Sequence, residues 1–262
     1  MEMENYENGA PSWIDMGSPD LEKAKAFYGT LFGWSLQVGP PEAGGYTIAE
    51  IGGRTVAGLG PQMNPAAPPS WLTYVNVDDA DATAAKVTGA GGQVFMAPFD
   101  VMDVGRMGVF ADPAGAVFGV WQPRTHKGAG LVNEPGAWAW SELVTTDTAG
   151  AEAFYAAVFG WGAETHGEAE GAGMGGYTEW KLGGRSIGGM MQKPDTIPAE
   201  VPPHWMVYFA VTDTDASVAK VEELGGAVLM PPMDIEPGRF AVVADPMGGA
   251  FSVMTMKGAP AS

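Results

Sequence analysis

The chain of 262 residues has a net charge of −18 and no cysteine, and 46% of its residues are hydrophobic. That length allows one large or two ordinary domains, and the absence of cysteine excludes disulfides, thiol nucleophiles and thiolate metal sites. The acidic charge argues against a nucleic-acid surface or an anionic membrane as partner. There is no apolar run of roughly 20 residues that could form a membrane helix, and the acidic, polar start is unlike a signal peptide, so we expect a cytoplasmic protein.

The first predicted elements are a strand and a helix. Residues 12–18 alternate apolar and polar side chains, as a half-buried strand does. Ser18 is predicted as the N-cap of the helix, with Asp20 near the positive end of its dipole. Apolar residues recur at helical spacing over 21–31, and Gly33 is expected to end the helix in a left-handed cap.

A hairpin and a second, similar series of elements follow. Strands are predicted at 46–51 and 54–59, on either side of a Gly52-Gly53 turn. A strand at 71–77 precedes a helix that begins with DDAD at 78–81, and the last strands are QVFMAPF, GRMGVFAD and AVFGVWQ. This pattern predicts an α+β fold with two βαβββ modules in this half of the chain.

The same pattern occurs again in the second half. The octapeptide FYGTLFGW at 27–34 returns as FYAAVFGW at 154–161, and GGYT at 44–47 returns at 175–178. Later segments repeat in the same order, at spacings between 127 and 134 residues. Such a repeat predicts a tandem duplication with four βαβββ modules. We expect domains at 1–124 and 137–262, with a linker rich in Gly, Pro and charge at 123–137.

These modules resemble the vicinal oxygen chelate superfamily, which includes glyoxalase I, bleomycin-resistance proteins and extradiol dioxygenases. The resemblance rests on helices that end in FGW, on DDAD at the second helix, and on the DP-x-G hairpin before the last strand of each half. It covers about residues 11–123 and 138–256. It is closest to tandem glyoxalase-like proteins of actinomycetes, some of which accompany aromatic polyketide pathways. The resemblance implies that each module curls its sheet into a cup and that paired cups enclose a pocket for a small ligand, here expected to be aromatic.

The resemblance also implies a divalent metal, held by His, Gln and Glu at three places in each half. In this sequence those places are occupied by residues that are poor metal ligands: Trp13, Leu72 and Gly119, then Trp140, Met206 and Ser252. The three histidines lie elsewhere: His126 in the linker, His166 in a Gly-rich loop and His204 at a strand start. Because a catalytic metal normally has three protein ligands, we expect a metal-free pocket and no cofactor.

Two carboxyl groups are the main candidates for chemistry. Asp15 and Glu142 each follow the first vacant metal place of their half by two residues, so they face the inside of the cup. A raised pKa would suit such a buried carboxyl to general acid–base catalysis. The alternative is structural, with each carboxyl bonded to the backbone, a Trp or a Tyr. Tyr74 and Tyr208 are equivalent on the facing strands.

If the protein is a catalyst, we predict that its working cup is in the second half. His204 lies near its second vacant metal place, whereas the first half has Ser70 at that point. Glu142 is expected to orient the imidazole of His204, and Tyr208 to donate to a substrate carbonyl. Asp15 is the corresponding catalytic candidate of the first half, and the alternative for His204 is a partly exposed structural role. The residues expected to contact the ligand are Trp13, Trp140, Tyr74, Leu72, Met206 and Trp121.

Other polar segments are weaker candidates. Arg54, Arg185, Arg106 and Arg239 could clamp an anion, although salt bridges to the many acidic residues are the simpler expectation. GAGMGG at 171–176 lacks the features of a phosphate loop and is predicted to be a flexible loop or lid.

Two classes of function remain open. One is a metal-independent enzyme that dehydrates, cyclises or isomerises an aromatic or carbonyl-rich molecule. The other is a binding protein that sequesters such a molecule, and a metal-dependent glyoxalase or dioxygenase is a third, disfavoured class. The expected partner is a small molecule, without nucleic acid or membrane, and the sequence allows a monomer or a homodimer.

Overall fold

The computed structural model describes residues 1–167 and 176–257. The first half consists of β1 (Pro11–Ser18), α1 (Leu21–Phe32), β2 (Ser35–Val38), β3 (Thr47–Ile51), β4 (Arg54–Pro61), β5 (Ser70–Asn76), α2 (Ala80–Gly89), β6 (Gln93–Val101), β7 (Gly105–Ala111) and β8 (Val117–Pro123). A short 3-10 turn at Pro41–Ala43 lies between β2 and β3.

The second half repeats this order. It consists of β9 (Trp138–Thr145), α3 (Thr148–Phe159), β10 (Gly162–His166), β11 (Tyr177–Leu182), β12 (Arg185–Gln192), β13 (His204–Ala210), α4 (Thr214–Glu223), β14 (Ala227–Ile235), β15 (Gly238–Ala244) and β16 (Ala250–Met256). Within the described residues, no helix is long and apolar enough to cross a membrane.

Each half forms one eight-stranded sheet of the same topology. The first has the order β2-β3-β4-β1-β5-β8-β7-β6, and the second has the order β10-β11-β12-β9-β13-β16-β15-β14. The pairs β1–β4, β5–β8, β9–β12 and β13–β16 are parallel, and the other neighbours are antiparallel. This is the predicted α+β arrangement of four βαβββ modules, in which the two modules of a half meet at β1–β5 or β9–β13.

The predicted C-cap of α1 is confirmed, but its N-cap is a different residue from the predicted one. Ser18 is the last residue of β1 and bonds the backbone of Asp20. Asp20 itself is the N-cap, because its side chain accepts from the backbone N–H of Lys23. Gly33 ends α1 with φ of 69°, in the left-handed region expected for a C-cap glycine.

Two other predicted loops need comment. His166 is not in a loop but is the last residue of β10, where its imidazole lies 3.8 Å from Glu179. Residues 168–175, which include most of the predicted lid, lie outside the described residues.

The repeated octapeptides join the two halves. The hydroxyl of Tyr28 donates to Asp245 at 2.9 Å, and the hydroxyl of Tyr155 donates to Asp112 at 3.2 Å. The tryptophan that ends each octapeptide also reaches across. Trp34 donates to the carbonyl of Gly136, just before β9, and the second-half indole donates to a carbonyl just before β1. The helices therefore lie between the sheets, in a shared core.

The opposite face of each sheet is the one that bears the candidate residues. We call the face of the first sheet that carries Trp13, Asp15, Leu72, Tyr74 and Trp121 the first cup. The matching face of the second sheet is the second cup, which carries Trp140, Glu142, Met206, Tyr208 and Met254.

Candidate functional site

The strand register places one carboxyl near the centre of each cup. Asp15 on β1 lies between Gly58 of β4 and Leu72 of β5. Glu142 on β9 lies between Gly189 of β12 and Met206 of β13. The two carboxyl positions are therefore equivalent, as the sequence repeat predicted.

The glycine beside each carboxyl makes room for a tyrosine that the sequence reasoning missed. A Cβ atom on Gly58 would fall 1.9 Å from the hydroxyl oxygen of Tyr46, and one on Gly189 would fall 1.9 Å from that of Tyr177. Real Cβ atoms do not approach so closely, so a side chain at either position would displace the tyrosine. The identical GGYT segments at 44–47 and 175–178 were the signal that could have identified this pair.

In the first cup these residues form a closed hydrogen-bond network. The hydroxyls of Tyr46 and Tyr74 both donate to Oδ2 of Asp15 at 3.1 Å. The indole of Trp13 donates to the hydroxyl of Tyr46 at 3.0 Å. Two predicted binding residues, Trp13 and Tyr74, thus serve to hold the carboxyl.

The second cup repeats the network with a glutamate. The hydroxyl of Tyr208 donates to Oε1 of Glu142 at 2.9 Å. The indole of Trp140 donates to the hydroxyl of Tyr177 at 2.9 Å, and that hydroxyl in turn hydrogen-bonds Glu142. Glu142 therefore bonds a tyrosine, as the structural alternative for this carboxyl predicted, and the bond places a neutral donor against a buried carboxyl.

Burial sets the protonation of both networks. Desolvation raises the pKa of Asp15 to about 7, although hydrogen bonds from Tyr74 and Tyr46 act to lower it. Desolvation also raises the pKa of Glu142 above its ordinary value, against hydrogen bonds from Tyr208 and Tyr177. The pKa of each tyrosine is raised by burial, so the phenols stay protonated and remain donors.

His204 is not oriented by Glu142. Its Nδ1 lies 2.8 Å from the carbonyl oxygen of Pro202, and it pairs with Val144 on β9, whereas Glu142 pairs with Met206. Because a carbonyl can only accept, Nδ1 carries the proton and Nε2 is left as the acceptor. Burial lowers the pKa of His204, so its imidazole is neutral at pH 7.

A different histidine approaches the first cup. The ring of His126 packs edge-on against Trp13, with centroids 4.4 Å apart, and also against Trp121 at 5.5 Å. Its backbone carbonyl accepts from the indole of Trp121 at 2.9 Å. Burial lowers the pKa of His126 to about 4, so it too is neutral. Sequence reasoning treated it as a linker residue, because nothing local shows that the linker folds back.

The other predicted ligand contacts line the cups to different degrees. Trp121 is buried in the first cup, and Leu72 is half-buried there. Met206 and Trp140 are half-buried in the second cup, beside a cluster of partly exposed apolar side chains that comprises Met230, Met233, Ile235 and Val242. The second cup therefore offers a partly exposed apolar surface that includes polarizable methionine side chains.

All four arginines considered as anion clamps are engaged in ion pairs. Arg106 pairs with Asp81 and Asp100, and Arg239 pairs with Asp215 and Asp234 in the same geometry. Arg54 pairs with Glu2, and Arg185 with Glu7. They serve as the salt bridges that the acidic composition suggested.

The residues at the family's metal places do not fit a metal ion. A Cβ atom at Gly119 would fall 2.3 Å from the ring of Tyr74, so that space is filled by the tyrosine. The indole of Trp13 is committed to Tyr46. Among the described residues, no group of three or more His, Asp or Glu side chains is arranged to hold an ion. Each cup contributes one carboxyl and two phenols that stay protonated.

Comparison with known proteins agrees with this architecture. Residues 11–120 match the Glyoxalase/Bleomycin resistance protein/Dioxygenase superfamily, and residues 140–254 match a glyoxalase-like domain. The chain is 46% identical to the putative glyoxylase CFP32 of Mycobacterium tuberculosis, over 95% of each chain. It is 40% identical to the anthracycline biosynthesis protein DnrV of Streptomyces peucetius, over 99% of this chain and 98% of that one.

Solved structures share the fold at low sequence identity. A Mn(II)-bound glyoxalase from Novosphingobium aromaticivorans has a TM-score of 0.64 and 17% identity, over 95% of this chain and 82% of that one. The 2,2',3-trihydroxybiphenyl 1,2-dioxygenase of Sphingomonas wittichii has the same TM-score and identity, over 95% and 91%. The chain therefore belongs to the glyoxalase/bleomycin resistance/dioxygenase superfamily, as a tandem of two glyoxalase-like domains.

Proposed function

We propose that the protein is a metal-independent enzyme that acts on an aromatic or carbonyl-rich small molecule by general acid–base catalysis. The observation that carries the proposal is the buried carboxyl of each cup, whose pKa is raised and which is held by two protonated tyrosines. A carboxyl whose pKa is raised by burial binds its proton more tightly than an exposed carboxyl does, which suits it to general acid–base catalysis. Dehydration, cyclisation and isomerisation need such a group and no external oxidant.

The second cup is the proposed reaction site. Glu142 takes a proton from a carbon next to a carbonyl, or donates one to a departing hydroxyl, and recovers its state when the product forms. Tyr208 stays protonated and shifts its hydrogen bond to the substrate carbonyl as charge develops. Trp140, which is half-buried, supplies a face for the ring. His204 supplies a neutral imidazole at the edge of the strand that carries Tyr208.

The nature of the substrate is supported by the relatives. The chain is 40% identical to a protein named for anthracycline biosynthesis, and anthracyclines are fused-ring aromatic compounds. A planar polycyclic substrate fits a cup lined by Trp and Met side chains. We therefore propose a role on an aromatic polyketide.

A sequestering protein is the second candidate, and one observation favours it. Met230, Met233 and Met206 form a partly exposed apolar floor beside Tyr208. Such a surface binds a flat ring without any proton transfer, and Glu142 would then serve only to fix the two tyrosines.

The test compares turnover of a panel of hydroxylated polycyclic ketones by matched carboxyl variants. We expect Glu142→Gln to lower kcat by about a hundred- to ten-thousand-fold, the usual contribution of a general acid or base. His204→Ala should lower kcat less than Glu142→Gln does. Asp15→Asn is the matched change in the first cup, and this variant should retain most of the kcat of the unaltered protein. Ligand affinity is measured in parallel.

Two results would overturn the proposal in different ways. If Asp15→Asn abolishes turnover and both second-half variants retain it, the reaction site is in the other cup. If the unaltered protein and all three variants bind ligand and none of them converts it to product, sequestration is the function.

A further inference from the structure

The linker fills a notch in the first half of the protein. Between the starts of β1 and β4, the backbone N–H of Ala129 donates to Ser12 O and that of Gly130 donates to Thr55 O, both at 2.8 Å. The hydroxyl of Thr55 donates to Gly128 O at 3.2 Å. These bonds hold His126 with its ring against Trp13, which is only 3% exposed as a result.

Among the described residues, no segment of the chain fills the equivalent notch in the second half. Between the starts of β9 and β12 lies a groove of about 460 Å³. Its walls include the counterparts of the residues that hold the linker: Ala139 for Ser12, Trp140 for Trp13, Ser186 for Thr55 and Ile187 for Val56. Ser12, Trp13 and Val56 are buried, whereas these four counterparts are half-buried or exposed. Tyr6, Trp138 and Val132 complete the apolar part of the groove.

We propose that this groove is a binding site for a small planar aromatic molecule, whose ring covers Trp140 as the imidazole of His126 covers Trp13. The first half shows what chemistry suits this tryptophan, because there a flat heteroaromatic ring is held edge-on at 4.4 Å. Among the described residues, no aromatic ring of the chain packs on Trp140. A volume of this size suits a ligand of two or three fused rings.

The groove is connected to the carboxyl network of the second cup. The indole N–H of Trp140 donates to Tyr177, whose hydroxyl bonds Glu142. A ring bound on Trp140 therefore contacts a side chain that is joined to the proposed acid–base group, Glu142, through the hydroxyl of Tyr177. Ser186, Asn133 and Asn5 supply polar groups along the rim for a ligand hydroxyl or carbonyl. The inference locates the ring of the ligand that the proposed function requires, but binding there does not depend on catalysis.

The probe for this site is 2-naphthol, titrated into the full chain labelled with ¹⁵N at the tryptophan indoles. We expect a saturable shift of one indole resonance, identified as Trp140 by its loss in Trp140→Phe, and little change at Trp13. Trp140→Ala should weaken binding by about tenfold, the effect of one lost aromatic contact. Ala139→Trp, which fills the groove, should abolish it.

The matched change in the first half is His126→Gly. It removes the ring that covers Trp13, so we expect a second naphthol to bind there and the stoichiometry to rise from one to two. Failure of this second site to appear would remove the parallel on which the proposal rests. An unshifted Trp140 resonance, or equal affinity in Trp140→Ala, would also overturn it.

A competing occupant is tested by shortening the chain. Lys127-Gly128-Ala129 of the linker recurs as Lys-Gly-Ala at 257–259. If naphthol binds only after residues 258–262 are removed, that segment covers Trp140 and the small-molecule proposal is wrong. Glu142→Gln separates this inference from the proposed function: we expect it to bind naphthol with unchanged affinity while turnover is lost.

Discussion

The environment of a carboxyl, more than its identity, sets its chemistry in this protein. Asp100, on the surface, has its pKa lowered by hydrogen bonds from Arg124 and Arg106. Asp15 lies in the first cup, where no Lys or Arg of the described residues pairs with it, and burial raises its pKa to about 7. The carboxylate form is therefore unfavourable in the folded state, and the folded protein holds a proton that the unfolded chain has already lost.

This raised pKa predicts a pH-dependent cost in stability. Below pH 3.8, the ordinary pKa, Asp15 is protonated in both states and costs nothing. Between pH 3.8 and 7 the unfolded chain loses the proton that the folded protein keeps, so the cost grows by about 1.36 kcal/mol for each pH unit, to about 4 kcal/mol above pH 7. Asp15→Asn removes this cost. The stability that the variant gains over the unaltered protein, measured as the free energy of unfolding, should therefore be about 2–3 kcal/mol greater at pH 8 than at pH 5.

Urea unfolding at the two pH values measures this difference. The control is Asp78→Asn, which makes the same change at an exposed carboxyl outside both cups. If Asp15→Asn shifts stability equally at both pH values, the carboxyl does not bind its proton more tightly in the folded state.

At the scale of elements, the sequence predicts features that depend on neighbouring residues, such as helix caps and turns. It does not predict contacts between distant segments of the chain. In the part of the chain that the structure describes, each of the four α-helices begins after an aspartate whose side chain accepts a backbone N–H: Asp20, Asp79, Asp147 and Asp213. Such caps, and the Gly52-Gly53 turn, depend on neighbours along the chain, so the sequence predicts them within a residue or two. Asp15 and Glu142 are identified from the metal places that the resemblance implies, together with strand alternation, which is another local rule.

The missed residues depend on contacts between distant segments. Tyr46 lies outside the strands, and it reaches Asp15 only because β4 carries a glycine beside that carboxyl. His126 enters the first cup because the linker folds back across the start of β1. No periodicity in the sequence reports either event, although the repeated GGYT pointed to the first.

The octapeptide helices allow a test of the contacts between halves. The hydroxyl of Tyr28 donates to Asp245 and accepts from the indole of Trp71 at 3.1 Å. Tyr28→Phe leaves both partners buried without that bond, so we expect it to lower the free energy of unfolding by about 1–3 kcal/mol. Tyr155→Phe should do the same for Asp112 and Trp205.

The double variant checks the independence of the two contacts. They share no residue, so their effects should add within about 0.5 kcal/mol. A change of less than about 0.3 kcal/mol in either single variant, by thermal or denaturant unfolding, would contradict the view that these hydroxyls join the halves.

On the scale of the whole molecule, the duplication has produced halves that share a core. Residues of α1 pack with β16 and β13 of the other half: Tyr28 lies 5.5 Å from Phe251, and Phe32 lies 4.6 Å from Phe209, between ring centroids. Trp34 donates across the junction to the carbonyl of Gly136. The cups lie on the outer faces of the two sheets, and the helices between the sheets hold the two halves together.

A shared core predicts that neither half is stable alone. Division between Asn133 and Glu134, both exposed, would leave the aromatic side chains of α1 and α3 in water, and burial of each is worth about 1.5–3 kcal/mol. We expect 1–133 and 134–262 to unfold without cooperativity when expressed separately, and to give one cooperative transition when refolded together. Calorimetry and amide exchange measure both states. A first half that unfolds alone with a sharp transition near that of the full chain would show that each cup is an independent domain, and the octapeptides would then be a docking surface and not a common core.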